Sequence, residues 1–314
     1  MPVELPPEVH VRAPGKINLA LSVGAPGHDG YHELATVFQA VSLFEEIRAT
    51  PSDRISVTFT GSVDTSELGG TEDTLVHRAA RLMAAELSDA DRERLRLRPG
   101  HTPGAHVEVT KNVPIAGGMG GGSADAAATL LACDALWGMN RSKERLLELA
   151  AQLGADVPFA LLGGTQLGTG RGDKLTPVLT AGEFHWVLVV APFGLSTPAV
   201  YRRLDELRPE APAPIVAPDV LAALRSGSAS ELGAAMHNDL AEAALDLAPA
   251  LQGVVADAAE QESRWLVSGS GPTVAFLCDD QPGAARLTEH LLARGHNALR
   301  VHGPVPGARF VPDV

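Results

Sequence analysis

Residues 114–125 read Pro-Ile-Ala-Gly-Gly-Met-Gly-Gly-Gly-Ser-Ala-Asp, and a run rich in Ala and Leu follows to residue 137. No other stretch limits the fold as much. Gly117, Gly118, Gly120, Gly121 and Gly122 let the backbone approach a ligand with no Cβ in the way, and a long helix is expected directly after them. Ser123 is expected to cap that helix. The free N–H groups of its first turn, with the positive end of the dipole, would make an anion site. Asp125, in the same first turn, suits the dipole as a structural device and takes no catalytic role. A flexible linker has no reason to place a Ser and a long apolar helix after its last glycine. No Gly-Lys-Ser/Thr ends the segment, so it is not a Walker loop, and no acidic residue after a second strand supports a dinucleotide fingerprint.

The 314 residues suggest two domains. Hydrophobic residues make up 45% and charged residues 20%, a soluble globular composition, and a cytoplasmic enzyme is expected. The net charge of -13 argues against nucleic acid and anionic membranes as partners. An anionic ligand would then need a local positive site, for which Lys16, Lys111 and the helix start at Gly121 are the candidates. Cys133 and Cys278 have neither disulfide nor metal-ligand spacing and read as small core residues. The acidic, proline-containing residues 1–10 do not resemble a signal peptide, and no run approaches the ~18 apolar residues of a membrane span. His77, His101, His106, His185, His237, His296 and His302 show no metal spacing among them.

Residues 9–22 alternate partly with period two, interrupted at Pro14-Gly15, and read as two short strands. Lys16 and Asn18 fall on one face, Ile17 and Leu19 on the other. Strands are expected over 35–43, 55–60, 106–111 and 185–191, the last opening a second domain. Helices are expected over 74–87 and 142–153, a polar loop over 62–73 and a surface excursion over 88–105. Asp156, before Val157-Pro158, reads in isolation as a cap or turn residue. Residues 163–177 read as strand and turn, with no physical role for Gly170-Arg171-Gly172. Thr197 should cap a short helix with Pro198 in its first turn. Residues 208–218 are proline-rich, and 220–262 read as helices. A second glycine loop, 268–273, lies between strands 264–267 and 273–278, where free N–H groups could line a phosphate or substrate pocket. A helix over 283–294 and a strand over 298–302 end the pattern.

Three of these segments resemble, in order, the three motifs of the GHMP kinases, the superfamily of galactokinase, homoserine kinase and mevalonate kinase. The first is Ala13-Pro14-Gly15-Lys16-Ile17-Asn18-Leu19, the second is 114–125 with Met119 in the usual Leu place, and the third is 268–273. Gly154-Ala155-Asp156-Val157-Pro158 is similar to the catalytic Asp segment of that family. Asp29-Gly30-Tyr31-His32 resembles its isoprenoid-pathway branch. Thr74-Leu75-Val76 departs from the usual Asn-Leu-Val, and Asn238-Asp239-Leu240 is a usual helix start. The resemblance spans residues 9 to 277.

It implies an α+β, two-domain GHMP kinase fold. An ATP-binding α/β domain resembling ribosomal protein S5 domain 2 would take residues 1–180, and a ferredoxin-like α/β substrate domain residues 181–314. The implied reaction moves the γ-phosphoryl group of ATP to the 2-hydroxyl of 4-diphosphocytidyl-2-C-methyl-D-erythritol. ATP would be held by Lys111, Pro114, Ile115, Ala116, Gly117, Gly118, Met119, Gly120, Gly121, Gly122, Ser123 and Ala124, with Ser123 near Mg²⁺. Asp156 would take the hydroxyl proton beside Lys16. Asn18, Tyr31, His32, Thr197, Tyr201, Gly269, Ser270 and Gly271 would face the cytidyl diphosphate sugar alcohol, with Tyr31 and Tyr201 stacking on cytosine, His32 reading its edge, and Asn18 orienting the substrate or Asp156. The protein would be a monomer or homodimer. Two alternatives are a GHMP kinase for another small alcohol, such as homoserine or mevalonate, and a non-catalytic ligand sensor of the same fold.

Overall fold

The structure, a computed structural model, describes residues 6–66, 73–98, 100–259 and 264–312. Residues 1–5 of the amino terminus, 67–72 of the expected polar loop, 99 of the surface excursion and 260–262 of the expected helical stretch lie outside these.

The first sheet is built on β1 (Val9–Pro26), a single strand where two were expected. The Pro14-Gly15 interruption is a bulge in its antiparallel ladder with β2 (His32–Ser52), and a second register shift falls between Asn18 and Ala20. Ile17 and Leu19 enter an apolar core, while Lys16 and Asn18 are buried polar side chains that line a cavity. Strand β3 (Ser56–Gly61) runs parallel to β4 (Gly104–Lys111), which pairs antiparallel with β2.

Helix α1 (Leu75–Ala85) is capped by Thr74. The expected surface excursion contains α2 (Asp89–Arg94), which hydrophobic periodicity could not reveal because it is almost wholly charged; a capping box between Ser88 and Asp91 holds it instead. Helix α3 (Gly121–Leu136) is buried on nearly every side, and it packs on β1, β2 and α1. An Ala-rich helix of this kind suits a central position, because small side chains let the sheet and the flanking helices approach closely. Ser142 caps α4 (Lys143–Leu153), and α5 (Val157–Leu162) follows at once, beginning after Asp156, which the sequence reads as a cap or turn residue. The hairpin of β5 (Thr165–Gly170) and β6 (Lys174–Pro177) adds to the first sheet through β2.

The second sheet begins with β7 (Phe184–Val190). Then come α6 (Thr197–Leu207), α7 (Pro218–Ser226), α8 (Ala229–Ala235), β8 (His237–Asn238), α9 (Ala241–Leu247) and α10 (Ala250–Ala259). Ser196, not Thr197, occupies the cap position of α6, and Thr197 is its first helical residue. The chain closes with β9 (Arg264–Val267), β10 (Val274–Cys278), α11 (Gln281–Ala293), β11 (Asn297–Gly303) and β12 (Arg309–Phe310). Strand order in this sheet is β11-β7-β10-β9, with every pair antiparallel.

The two halves share a core. Ile17, Leu19 and Val37 of the first sheet pack in one cluster with Trp186, Leu188 and Ala275 of the second, and Trp186 Nε1 donates to Gln39 Oε1 at 3.1 Å. Strand β8 runs parallel to β1, and β12 pairs antiparallel with its start, so β1 is completed by residues from the far end of the chain. Cys133 and Cys278 are both buried and unpaired. Among the described residues no helix is long and apolar enough to cross a membrane, and no group of three or more His, Cys, Asp or Glu side chains is placed to hold a metal.

Candidate active site

The first glycine loop leaves β4 and turns into α3. At Gly118 φ is +75°, and a Cβ there would lie 2.0 Å from the carbonyl oxygen of Ser268, so only glycine fits beneath the second glycine loop. Gly120 is the N-cap of α3 in the left-handed region, at φ 72° and ψ 25°. The helix therefore starts at Gly121, with no side-chain cap. Ser123 is its third residue and not its cap, and Asp125 falls in the second turn and not the first. The Ala124 N–H bonds back to the Gly120 carbonyl at 2.9 Å. The amides of Gly121, Gly122 and Ser123 come before that first helical bond and are the orphan donors of an anion site.

Lys16 comes to this loop from β1. Its backbone N–H donates to the Met119 carbonyl at 2.9 Å, and its side chain is buried. Lys16 Nζ donates to Asn18 Oδ1 at 2.8 Å; Asn18 Nδ2 donates to Thr36 Oγ1 at 2.8 Å, and that hydroxyl donates to the Ala20 carbonyl at 2.7 Å. Asn18 thus fixes the ammonium through a buried relay that includes Thr36, a residue with no signal of its own in the sequence. Asp156 occupies the cap position of α5, but its side chain makes no capping bond. Its Oδ2 lies 4.0 Å from Lys16 Nζ. Burial draws the Lys16 ammonium below its usual pKa, and the Asp156 carboxylate partly restores it.

Lys111 is not the free positive site that composition suggested. Its Nζ donates to Glu45 on β2 and, at 2.7 Å, to Asp125 Oδ2 on α3, all three buried. Burial first, then the neighbouring Asp125 carboxylate, pushes Glu45 up to about 8, and burial also raises Asp125 against the pull of Lys111. Burial would lower the Lys111 ammonium, yet the two carboxylates together hold it above its usual value. The pair of acids therefore keeps a proton near neutrality beside one ammonium. Asp125 is more than a dipole partner, since the cluster ties β2, β4 and α3 together directly under the loop; a Cβ on Gly121 would come within 2.9 Å of Glu45 Oε1.

From the other half, Ser268 Oγ donates to the Gly118 carbonyl at 3.0 Å, and Asn238 Nδ2 donates to the Val267 and Gly269 carbonyls, each at 2.7 Å. Thr197 Oγ1 and Ser270 Oγ share a hydrogen bond of 2.8 Å. These contacts close a cavity of about 510 Å³, within the ~300–1,000 Å³ range of small-molecule sites. Every residue from Pro114 to Ser123 except Met119 lines it, as do Lys16, Asn18, Lys111, Asp156, Thr197, Tyr201, Gly269 and Ser270.

Five expected site residues do not line it. The Met119 side chain is wholly inside the core, Ala124 is buried in α3, and Gly271, within the second loop, turns its N–H onto the Ser268 carbonyl. His32 Nε2 is bonded to Asp205 Oδ1 at 2.8 Å, and its ring lies 4.9 Å from that of Tyr201. Tyr31 is 59% exposed and carries the Arg171 guanidinium 4.0 Å over its ring. Tyr201 is an aromatic wall of the cavity; burial, then the Asp156 carboxylate, pushes its phenol up to about 12, so it stays neutral. Leu21, Leu34 and Phe38, ordinary apolar strand residues in the sequence, also line the cavity, and so does Arg171.

The GHMP kinases N terminal domain family matches residues 74–164, and the GHMP kinases C terminal family matches residues 220–297. The 4-diphosphocytidyl-2-C-methyl-D-erythritol kinase of Clavibacter michiganensis subsp. michiganensis is 52% identical over 313 residues, covering 96% of each chain. That of Leifsonia xyli subsp. xyli is 51% identical, covering 97% of this chain and 99% of its own. A crystal structure of 4-(cytidine 5'-diphospho)-2C-methyl-D-erythritol kinase superposes with a TM-score of 0.73 at 32% identity, over 93% of this chain and 98% of the other. The mevalonate kinase of L. major reaches the same TM-score at 15% identity, over 98% of each chain, a likeness of fold alone. The chain belongs to the GHMP kinases and, within them, to the family of 4-diphosphocytidyl-2-C-methyl-D-erythritol kinases.

Proposed function

We propose that this enzyme transfers the γ-phosphoryl group of ATP to the 2-hydroxyl of 4-diphosphocytidyl-2-C-methyl-D-erythritol, giving the 2-phosphate and ADP, and that Asp156 and Lys16 carry the chemistry. The observation behind this reading is that the start of α3 and the Lys16–Asp156 pair open into one cavity. The Asp156 carboxylate takes the hydroxyl proton. The oxygen then attacks the γ-phosphorus, and the bond to the bridging oxygen breaks with ADP as leaving group. Lys16, fixed by Asn18, counters charge on the transferred group.

Mg²⁺ fits this site. It retains water and binds through one or two protein groups plus phosphate oxygens, so it needs no dedicated protein cage. Ser123, half-buried at the cavity wall, is the residue of this chain that would hold it. When bound, the ion neutralises charge on the β- and γ-phosphates.

Coupled detection of ADP with a panel of alcohols tests the reading. Rapid turnover is expected with the cytidyl compound and little with bare methylerythritol, mevalonate or homoserine. Equal turnover of bare methylerythritol would overturn the substrate assignment.

Two substitutions separate the ends of the cavity. A Cβ on Gly122 would meet only Leu75 Cδ1, at 3.7 Å, so Gly122→Val should fold while its methyls obstruct the phosphate path. ATP affinity by calorimetry should fall by roughly 10- to 150-fold, the worth of charge-assisted hydrogen bonds. Unchanged affinity would move the nucleotide elsewhere. Tyr201→Ala should raise KM for the cytidyl substrate by roughly 5- to 150-fold, the worth of base stacking, with KM for ATP unaltered. A rise in the ATP constant alone would place the base of the acceptor away from this ring.

A further inference from the structure

The proposed acceptor carries a diphosphate, and the cavity has little free positive charge to meet it. Among the described residues its basic side chains are Lys16, Lys111 and Arg171. Lys16 is held by Asn18 at the reacting end, and Lys111 is engaged by two carboxylates. Arg171 remains.

It stands at the tip of the β5–β6 hairpin between Gly170 and Gly172, both at positive φ, so the backbone turns sharply on either side of it. Its own N–H donates to Asp173 Oδ1 at 3.0 Å. Gly170 pairs with Leu34 of β2, and Leu34 lines the cavity and packs against the same apolar cluster as Tyr201. The guanidinium lies 4.0 Å over the Tyr31 ring, and its Nη2 donates to Asp29 Oδ2 at 2.6 Å, while Asp29 Oδ1 accepts the Tyr31 N–H at 3.0 Å. Both ion-pair partners are more than half exposed, at 54% and 57%. A pair so exposed contributes little to stability. It does hold a planar, permanently charged fork at the cavity rim, a geometry that suits two phosphate oxygens.

We infer that Arg171 is the diphosphate ligand of the acceptor subsite, kept in position by Asp29 and Tyr31 until the substrate arrives. The inference rests on the cytidyl substrate proposed above. On binding, phosphate oxygens replace Asp29 as partner of the guanidinium, and the ring of Tyr31 stays beneath it. The chain then recognises the acceptor by three separate parts: the base at Tyr201, the diphosphate at Arg171, and the hydroxyl at Asp156.

Competition separates this from a role in merely holding Tyr31. Cytidine, CMP and CDP are measured as inhibitors against the cytidyl substrate at saturating ATP, with wild type, Arg171→Gln and Arg171→Lys. Wild type should bind CDP more tightly than cytidine. In Arg171→Gln the inhibition constant for CDP should rise by roughly 10- to 150-fold, with that for cytidine unchanged, and Arg171→Lys should recover part of the loss. Equal weakening of cytidine and CDP would reduce Arg171 to a support for Tyr31, and no weakening of either would remove it from the site; both overturn the inference. Failure of the proposed function itself reads differently, as wild type that does not phosphorylate the cytidyl compound.

Discussion

Asp156→Asn is expected to lower kcat by ~10²- to 10⁴-fold, the range for a positioned base, and to leave ATP affinity unchanged. The carboxamide keeps the shape of the side chain and its place at the start of α5, but it cannot accept the hydroxyl proton. A second effect follows from the 4.0 Å separation from Lys16. Burial already lowers the pKa of that ammonium, and Asp156 is what opposes the shift. Without the carboxylate the lysine gives up its proton at lower pH, so the alkaline limb of the residual kcat profile should move down. Single-turnover rates across pH, with ATP binding followed by calorimetry, check both. A variant that keeps wild-type turnover would take Asp156 out of the chemistry.

Lys111→Met should cost about 3 to 5 kcal/mol of folding stability, the range for removing one partner of a buried ion pair. Methionine can fill the space. It leaves Glu45 and Asp125 buried together with no cation. That loss is a large part of the ~5–15 kcal/mol that holds a domain folded. Both acids already titrate above their usual values, so the folded protein favours their protonated forms, and the stability tied to them is present at acid pH and lost as pH rises. The defect should therefore be smallest near pH 5 and grow through about 8, where Glu45 ionises in the wild type. Urea unfolding at the two pH values measures it, and adding Glu45→Gln should recover part of the loss. A variant as stable as wild type at pH 8 would show that the two acids need no buried cation.

Much of the site could be read from the sequence because local chemistry wrote it there. The glycines of the first loop, Lys16 and Asn18 two apart on a strand, and Asp156 before Val-Pro all carry their signal within a few residues. What escaped depends on distant partners. Lys111 gives no hint that its charge is met by Glu45, 66 residues earlier, and by Asp125. Thr36 reads as an ordinary strand residue until Asn18 is seen to donate to it. Gly170-Arg171-Gly172 stands out locally but carries no role by itself; the partner of Arg171 is Asp29, 142 residues away. Ser123 misled by type, since a serine after glycines suggests a cap where Gly120 in the left-handed region already starts the helix. Helix α2 was missed for the opposite reason, its hold coming from caps and ion pairs and not from an apolar face.

The way β1 is completed also bears on when the enzyme becomes active during its own synthesis. Strand β1 leaves the ribosome before β8 and β12, with which it pairs, and the loop beside Lys16 is pinned by Ser268. At about 5–20 residues per second, residue 270 follows residue 16 by roughly 13 to 50 s. Through that interval the nascent chain carries the glycines, Lys16 and, later, Asp156, without the loop that closes over them. The closed cavity is thereby withheld until residues 268–273 have been made, and a chain that stops short of them is released without it.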